Sequence, residues 1–259
     1  MITLGLDLAA EPKNTSGCAV EWRDCRAAVR WVATGLMDGD ILSHAREAIV
    51  LGIDAPFGWP EAYVKAITAH HAGAHWPVET WDRSNRRSLR LRATDEQVHT
   101  VTRITPLSVS SDAIAIPATR CASLLDRLGV RDRSGDGRVH EVYPAAALFQ
   151  WGLRHKGYKG KKNVGRLLEL LAALRSRAPW LDVLPSDAEM LAGCDHAFDA
   201  LIASLAARAA SRGLTFRPAA DQLDLARVEG WIAVPRKGSL EELPLGAEEC
   251  RTDGPRTEA

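Results

Sequence analysis

Residues 48–60 read AIVLGIDAPFGWP, a nearly unbroken apolar run that ends at Asp54 and then meets two prolines and a glycine. A run of strand length without polar alternation suits a strand covered on both faces, beside others in an α/β sheet. Pro60 fits the first turn of a helix over Glu61–His71. Toward the N-terminus, residues 40–48 have helical spacing, with Ile41, Leu42 and Ala45 on the apolar face. Before them lie three strand-like runs, Ile2–Asp7, Cys18–Trp22 and Ala27–Thr34, joined by short turn signals, which predict an antiparallel meander. Toward the C-terminus, Arg138–Tyr143 predicts a further strand, followed by a helix over Ala145–Leu153. Amphipathic spacing predicts a helix over Val164–Leu174. Ser186-Asp-Ala-Glu189 has the pattern of a capping box, and the Ala- and Leu-rich stretch Cys194–Ala210 predicts the longest helix.

A meander followed by parallel strands with covering helices makes a mixed α/β sheet, here expected to have five strands. Residues 72–137 read as an insertion in the same domain, since neither end has linker composition. The expected domain spans 1–235, and 236–259 reads as a flexible tail.

Composition narrows the function classes. The 259 residues are 46% hydrophobic and 25% charged, with 33 basic and 33 acidic side chains and a formal net charge of +0. That balance argues against holding nucleic acid by bulk positive charge and leaves room for a local basic groove. Five widely spaced cysteines without a C-x-x-C pair argue against a disulfide framework or a structural zinc site. The N-terminus lacks the form of a signal peptide and no run is long enough to span a membrane, so a cytoplasmic protein is expected. Neither G-x-G-x-x-G nor G-x-x-x-x-G-K-[ST] occurs. His71 and His75 lack the Glu of a metalloprotease helix, and Cys194 has no evident assisting His.

Four acids carry the functional reading. Asp7 and Asp54 end the first strand and the first strand after a crossover helix, which are expected to be parallel neighbours with their carboxylates side by side. Two acids so placed repel unless a proton or a cation separates them. Asp195 and Asp199, four apart at the start of the longest helix, are expected to face the same way, bordering the stripe of Phe198, Ile202 and Leu205. Plainer readings stand beside these: a turn residue at a strand end, or an acid favoured by a helix N-terminus. Glu141 ends another strand and reads equally as a member of the site or as a partner of an arginine. Arg92 with Asp95 is suited to gripping a phosphate, whereas Thr94 with Gln97 reads as a helix cap. The arginines between 83 and 92, and the loop carrying Lys156, Lys159, Lys161 and Lys162, suit either a nucleic-acid backbone or a solvated face.

The pieces GLDLA (5–9), IDAPFGWP (53–60), RATD (92–95), EVYPAA (141–146), DHAFDALIASLAA (195–207) and EGWIAVP (229–235) resemble domain of unknown function 429, a family of predicted nucleases of the RNase H superfamily. The resemblance implies an RNase H-like fold and a site of Asp7, Asp54, Asp195 and Asp199 binding Mg2+ or Mn2+, with Glu141 as a further member. Arg92, Thr94 and Asp95 match a family motif and would contact the substrate, as would Lys159 of the basic loop. The implied activity is two-metal phosphodiester hydrolysis, with DNA or RNA as the partner. Two alternatives are an actin- or sugar-kinase-like phosphotransferase or ATPase, against which the glycine-poor turns count, and a non-catalytic binding module.

Overall fold

The computed structural model describes residues 1–135 and 137–244. Three antiparallel strands open the chain: β1 (Ile2–Asp7), β2 (Ser16–Arg23) and β3 (Arg26–Thr34). Helix α1 (Asp38–Glu47) then crosses to β4 (Val50–Asp54), which pairs with β1 in parallel, as the apolar run at 48–53 predicts. After α2 (Glu61–His71), the insertion contributes α3 (Arg83–Ser88), α4 (Ala93–Thr102) and α5 (Asp112–Arg127). Strand β5 (Val139–Glu141) joins β4 in parallel and leads into α6 (Pro144–Gln150) and α7 (Val164–Arg177). Strand β6 (Leu181–Asp182), α8 (Pro185–Gly193), α9 (Asp195–Ser211) and α10 (Leu223–Glu229) follow.

The sheet is mixed and has the order β5-β4-β1-β2-β3-β6. It has six strands, against the five expected from sequence. The added strand, β6, is two residues long and pairs only with Ala27 and Ala28 at the sheet edge, too short to leave a periodic signal. Helix α8 starts at Pro185 with no side-chain cap, so Ser186 does not form the expected capping box.

Pleating sorts the side chains into two cores. Leu4, Leu6, Leu51 and Ile53 point to the face covered by α1 and α5. Cys18, Val20 and Trp22 point to the face covered by α6, α7 and α9. Helix α9 crosses β1, β2 and β4 and is buried from Ala197 to Ala210, so it has no narrow apolar stripe. It lies directly on a floor made by Gly5 and Gly52, which face each other in register. A Cβ on Gly5 would sit 2.1 Å from the Ala200 carbonyl oxygen, and one on Gly52 2.4 Å from that of Ala203. One turn further on, Ser204 Oγ meets Thr3 Oγ1 at 2.8 Å.

The insertion is tied down at two points. Arg120 of α5 donates to Ala9 O (2.7 Å) and Thr15 Oγ1 (2.6 Å) in the turn after β1, and pairs with Asp38 (2.6 Å). Glu229 accepts from the Glu61 amide (2.7 Å) and the Ala93 amide (2.8 Å), so one carboxylate serves the first turns of both α2 and α4. The expectation of a flexible tail from residue 236 fails for its first part. Ser239, Leu240 and Leu243 are buried, Ser239 Oγ accepts from Trp151 Nε1 (3.1 Å), and Leu243 O accepts from Arg208 Nε (2.9 Å). The rest of that segment lies outside the described residues. Cys18, Cys121 and Cys194 are free thiols. Among the described residues no single helix is long and apolar enough to cross a membrane.

Candidate functional site

The two-residue period that places Gly5 and Gly52 under α9 also places Asp7 and Asp54 on the same face, at the carboxyl ends of β1 and β4. Asp7 and Asp54 are register partners in the parallel pair. The first turn of α9 passes above them and adds Asp199, whose side chain is 1% exposed. Asp199 Oδ1 accepts from the Tyr158 hydroxyl (2.7 Å), and Lys159 Nζ lies 2.6 Å from Oδ2. Asp7 Oδ2 bonds Nδ1 of His196 at 2.6 Å. Among the described residues, Asp54 has no hydrogen-bond donor from the protein.

The electrostatics follow from this crowding. Desolvation, then the charge of Asp7, holds the Asp54 carboxyl well above the ordinary range, with Asp199 and Glu141 adding and Lys159 opposing. Burial raises Asp199 to about 6 against the pull of Lys159. The hydrogen bond to Asp7 raises His196 and favours its charged form. For Lys159 burial acts downward, but Asp199 and Asp54 outweigh it and hold the ammonium charged. Three acids are thus balanced by one lysine and one histidine.

Beside the acids opens a cleft of about 490 Å3. Asp7, Asp54, Tyr143, Lys159 and His196 line it, together with the turn after β1 and the start of α5.

The other expected site residues are placed as follows. Asp195 is partly exposed in the first turn of α9 and accepts from the Gly160 amide at 3.0 Å, and its charge helps to raise His196. The i, i+4 rule set it beside Asp199, but a helix end also faces its neighbouring loop. Glu141 and Arg92 are each 2% exposed and paired at 2.7 Å, and Arg92 also grips Asp95 at 2.9 Å. Glu141 further accepts from the Phe57 amide (3.0 Å), and Arg92 donates to Glu229 O (3.1 Å). Thr94 Oγ1 accepts from the Ile232 amide at 2.7 Å. Asp95 accepts from the Arg92 amide at 2.9 Å and caps α4, so the cap lies at Arg92–Asp95 and not at Thr94–Gln97. Arg92, Thr94 and Asp95 therefore knit α4 to the sheet edge. The arginine run is divided: Arg83, Arg86 and Arg90 are exposed, Arg87 pairs with Glu96, and Arg92 is buried.

A family model described as "Protein of unknown function (DUF429)" matches residues 5–223. The chain belongs to the DUF429 family. Neither a comparison with curated proteins nor one with solved structures gives a match. In this DUF429 chain Asp7, Asp54, Asp199, Lys159 and His196 all lie inside the matched part, while Glu229 and Ile232 lie beyond it. Sequence reasoning missed His196, which looks like an ordinary polar residue in a helix's first turn. Its one signal was adjacency to Asp195. Lys159 was expected as a substrate contact; its pairing with Asp199 was not.

Proposed function

We propose that this DUF429 chain is a phosphodiester hydrolase with an RNase H-like fold that acts with Mg2+ or Mn2+. The meander β1-β2-β3, with β4 and β5 added in parallel beside β1, supports that fold. One observation carries the activity: Asp7 and Asp54 end adjacent parallel strands in register, and Asp54 takes no donor from the described protein. Hard carboxylate oxygens suit a hard divalent cation, and Mg2+ is commonly held by one or two carboxylates together with waters and substrate phosphates. Among the described residues no group of three or more His, Cys, Asp or Glu side chains forms a ready ligand set. Asp7 and Asp54 are therefore the residues that would hold the ion, with Asp199 kept back by Tyr158 and Lys159. When bound, the ion supplies charge neutralisation at phosphate and a lowered pKa for water.

The chain's own groups do the rest. Lys159, anchored on Asp199, brings positive charge to the cleft where a phosphate would sit. His196, oriented by Asp7, adds a second. The balanced reaction forms a bond from water oxygen to phosphorus, breaks one ester P–O bond, and yields a phosphate monoester, an alcohol and a proton.

Saturating Mn2+ is expected to raise the Tm of the wild type by roughly 5–10 °C, since an ion at about 100 times its Kd adds about 2.7 kcal/mol. Asp54→Asn removes the repulsion with Asp7. In chelator it is expected to melt roughly 3–5 °C above the wild type, as charge-crowded sites do when relieved, and to lose the Mn2+ shift. Differential scanning fluorimetry reads both. An unchanged wild-type Tm in millimolar Mn2+, or an equal shift in Asp54→Asn, overturns the ion site. Mn2+-dependent cleavage of a phosphodiester by the wild type and not by Asp7→Asn supports the hydrolase.

A further inference from the structure

The cleft has a lining of a different character from its acids. The turn after β1 contributes Leu8, and the insertion contributes Pro106, Leu107, Ile114 and Pro117, so much of the lining is apolar. Leu107 is 63% exposed. A volume of about 490 Å3 falls in the range of small-molecule pockets, which are mostly apolar with a few convergent polar groups. The cationic side chains lining the cleft besides His196 are Arg92 and Lys159. Arg92 is held by Asp95 and Glu141, and Lys159 by Asp199. A nucleic-acid strand is held by several lysines and arginines spaced along its phosphates, and this lining offers no such row. The wall is also braced, because Arg120 fixes α5 to the turn that follows Asp7.

Resting on the hydrolase reading, we infer that the insertion makes this a small-substrate site. Its substrate is a single phosphodiester of about nucleotide size that bears an apolar ring. The ring lies against Leu107, Ile114 and Pro117. The phosphate reaches Asp7, Asp54, Lys159 and His196.

The test uses the full chain with Mn2+ and compares bis(4-nitrophenyl) phosphate with single-stranded and duplex DNA and RNA of about 20 residues. The small aromatic diester is expected to be cleaved and the polymers not. Leu107→Asp is expected to raise KM for the diester about tenfold, the loss that follows from removing one leucine-sized apolar contact, with a smaller change in kcat. Because Leu107 is exposed, the variant is expected to keep the wild-type Tm, and Ile114→Ser provides a second, milder change to the same wall. Polymers cleaved with higher kcat/KM than the diester, or an unchanged KM in both variants, overturn the small-substrate inference and leave the hydrolase standing. Cleavage of neither class overturns both, and the Mn2+ melting shift then reports whether the acids bind an ion at all.

Discussion

Gly5→Val is expected to melt on the order of 10 °C below the wild type and to lose the Mn2+-induced rise in Tm. Any Cβ at position 5 lands 2.1 Å from Ala200 O and 2.1 Å from Ser204 N. Both are backbone atoms of a buried helix, so no side chain can swing aside. Overpacking typically costs about 1–3 kcal/mol and more where the backbone must move. With about 4 kcal/mol lost, a chain of this size loses roughly 10 °C. Helix α9 would have to lift from the sheet, and Asp199 and His196 would lift away from Asp7 and Asp54 with it. The expected control is Gly39→Ala, where a Cβ meets nothing within 4 Å and the change in Tm should be within about 2 °C. Calorimetry on the three proteins checks this, and a Gly5→Val protein that melts with the wild type would show that the close approach does not hold.

The second large effect is at Arg92. Arg92→Ala leaves Glu141 and Asp95 buried without their cation, and removing one partner of a buried ion pair costs about 3–5 kcal/mol. The loss should depend on pH in a defined direction. Burial already raises Glu141 against the opposing charge of Arg92, and without the arginine it rises further. A carboxyl whose folded pKa exceeds its unfolded value contributes stability below the unfolded pKa, and that contribution is lost as pH rises. The gap between Arg92→Ala and wild type should therefore narrow as pH falls from 7 through the ordinary carboxylate range near pH 4. The pair Arg92→Met with Glu141→Gln should recover part of the loss at pH 7, because it deletes the stranded charge as well. Urea denaturation at several pH values measures all of this. A gap that widens toward low pH would count against a charge origin.

Much of the sheet and the three acids Asp7, Asp54 and Asp199 were legible in the residues. Two carboxylates at the ends of a first strand and a crossover-connected strand become neighbours by topology alone, and Asp7 and Asp54 are register partners. The longest helix and its Asp199 were legible for the same reason, since helical period and burial act locally. The rest depends on long-range contacts that leave no local pattern. Asp195 meets Gly160, His196 meets Asp7 across 189 positions, and Lys159 reaches Asp199 from a loop that suited either a nucleic-acid backbone or a solvated face. Arg92, suited by its chemistry to a phosphate, is instead taken up by two buried acids. Local chemistry proposes a role for an arginine, and burial decides which anion it serves.

The twofold grip of Glu229 sets an order of assembly. Its partners, Glu61 and Ala93, lie 168 and 136 residues earlier in the chain. On the ribosome, α2 and α4 emerge long before the carboxylate that satisfies their first turns, and closing loops of that length is slow compared with forming a helix. The meander and β4 can pair while α2 and α4 are still unsecured. Helices α2 and α4 thus dock last, whereas Arg120, whose partners Ala9, Thr15 and Asp38 all precede it in the chain, can fix α5 beside Asp7 and Asp54 before Glu229 exists.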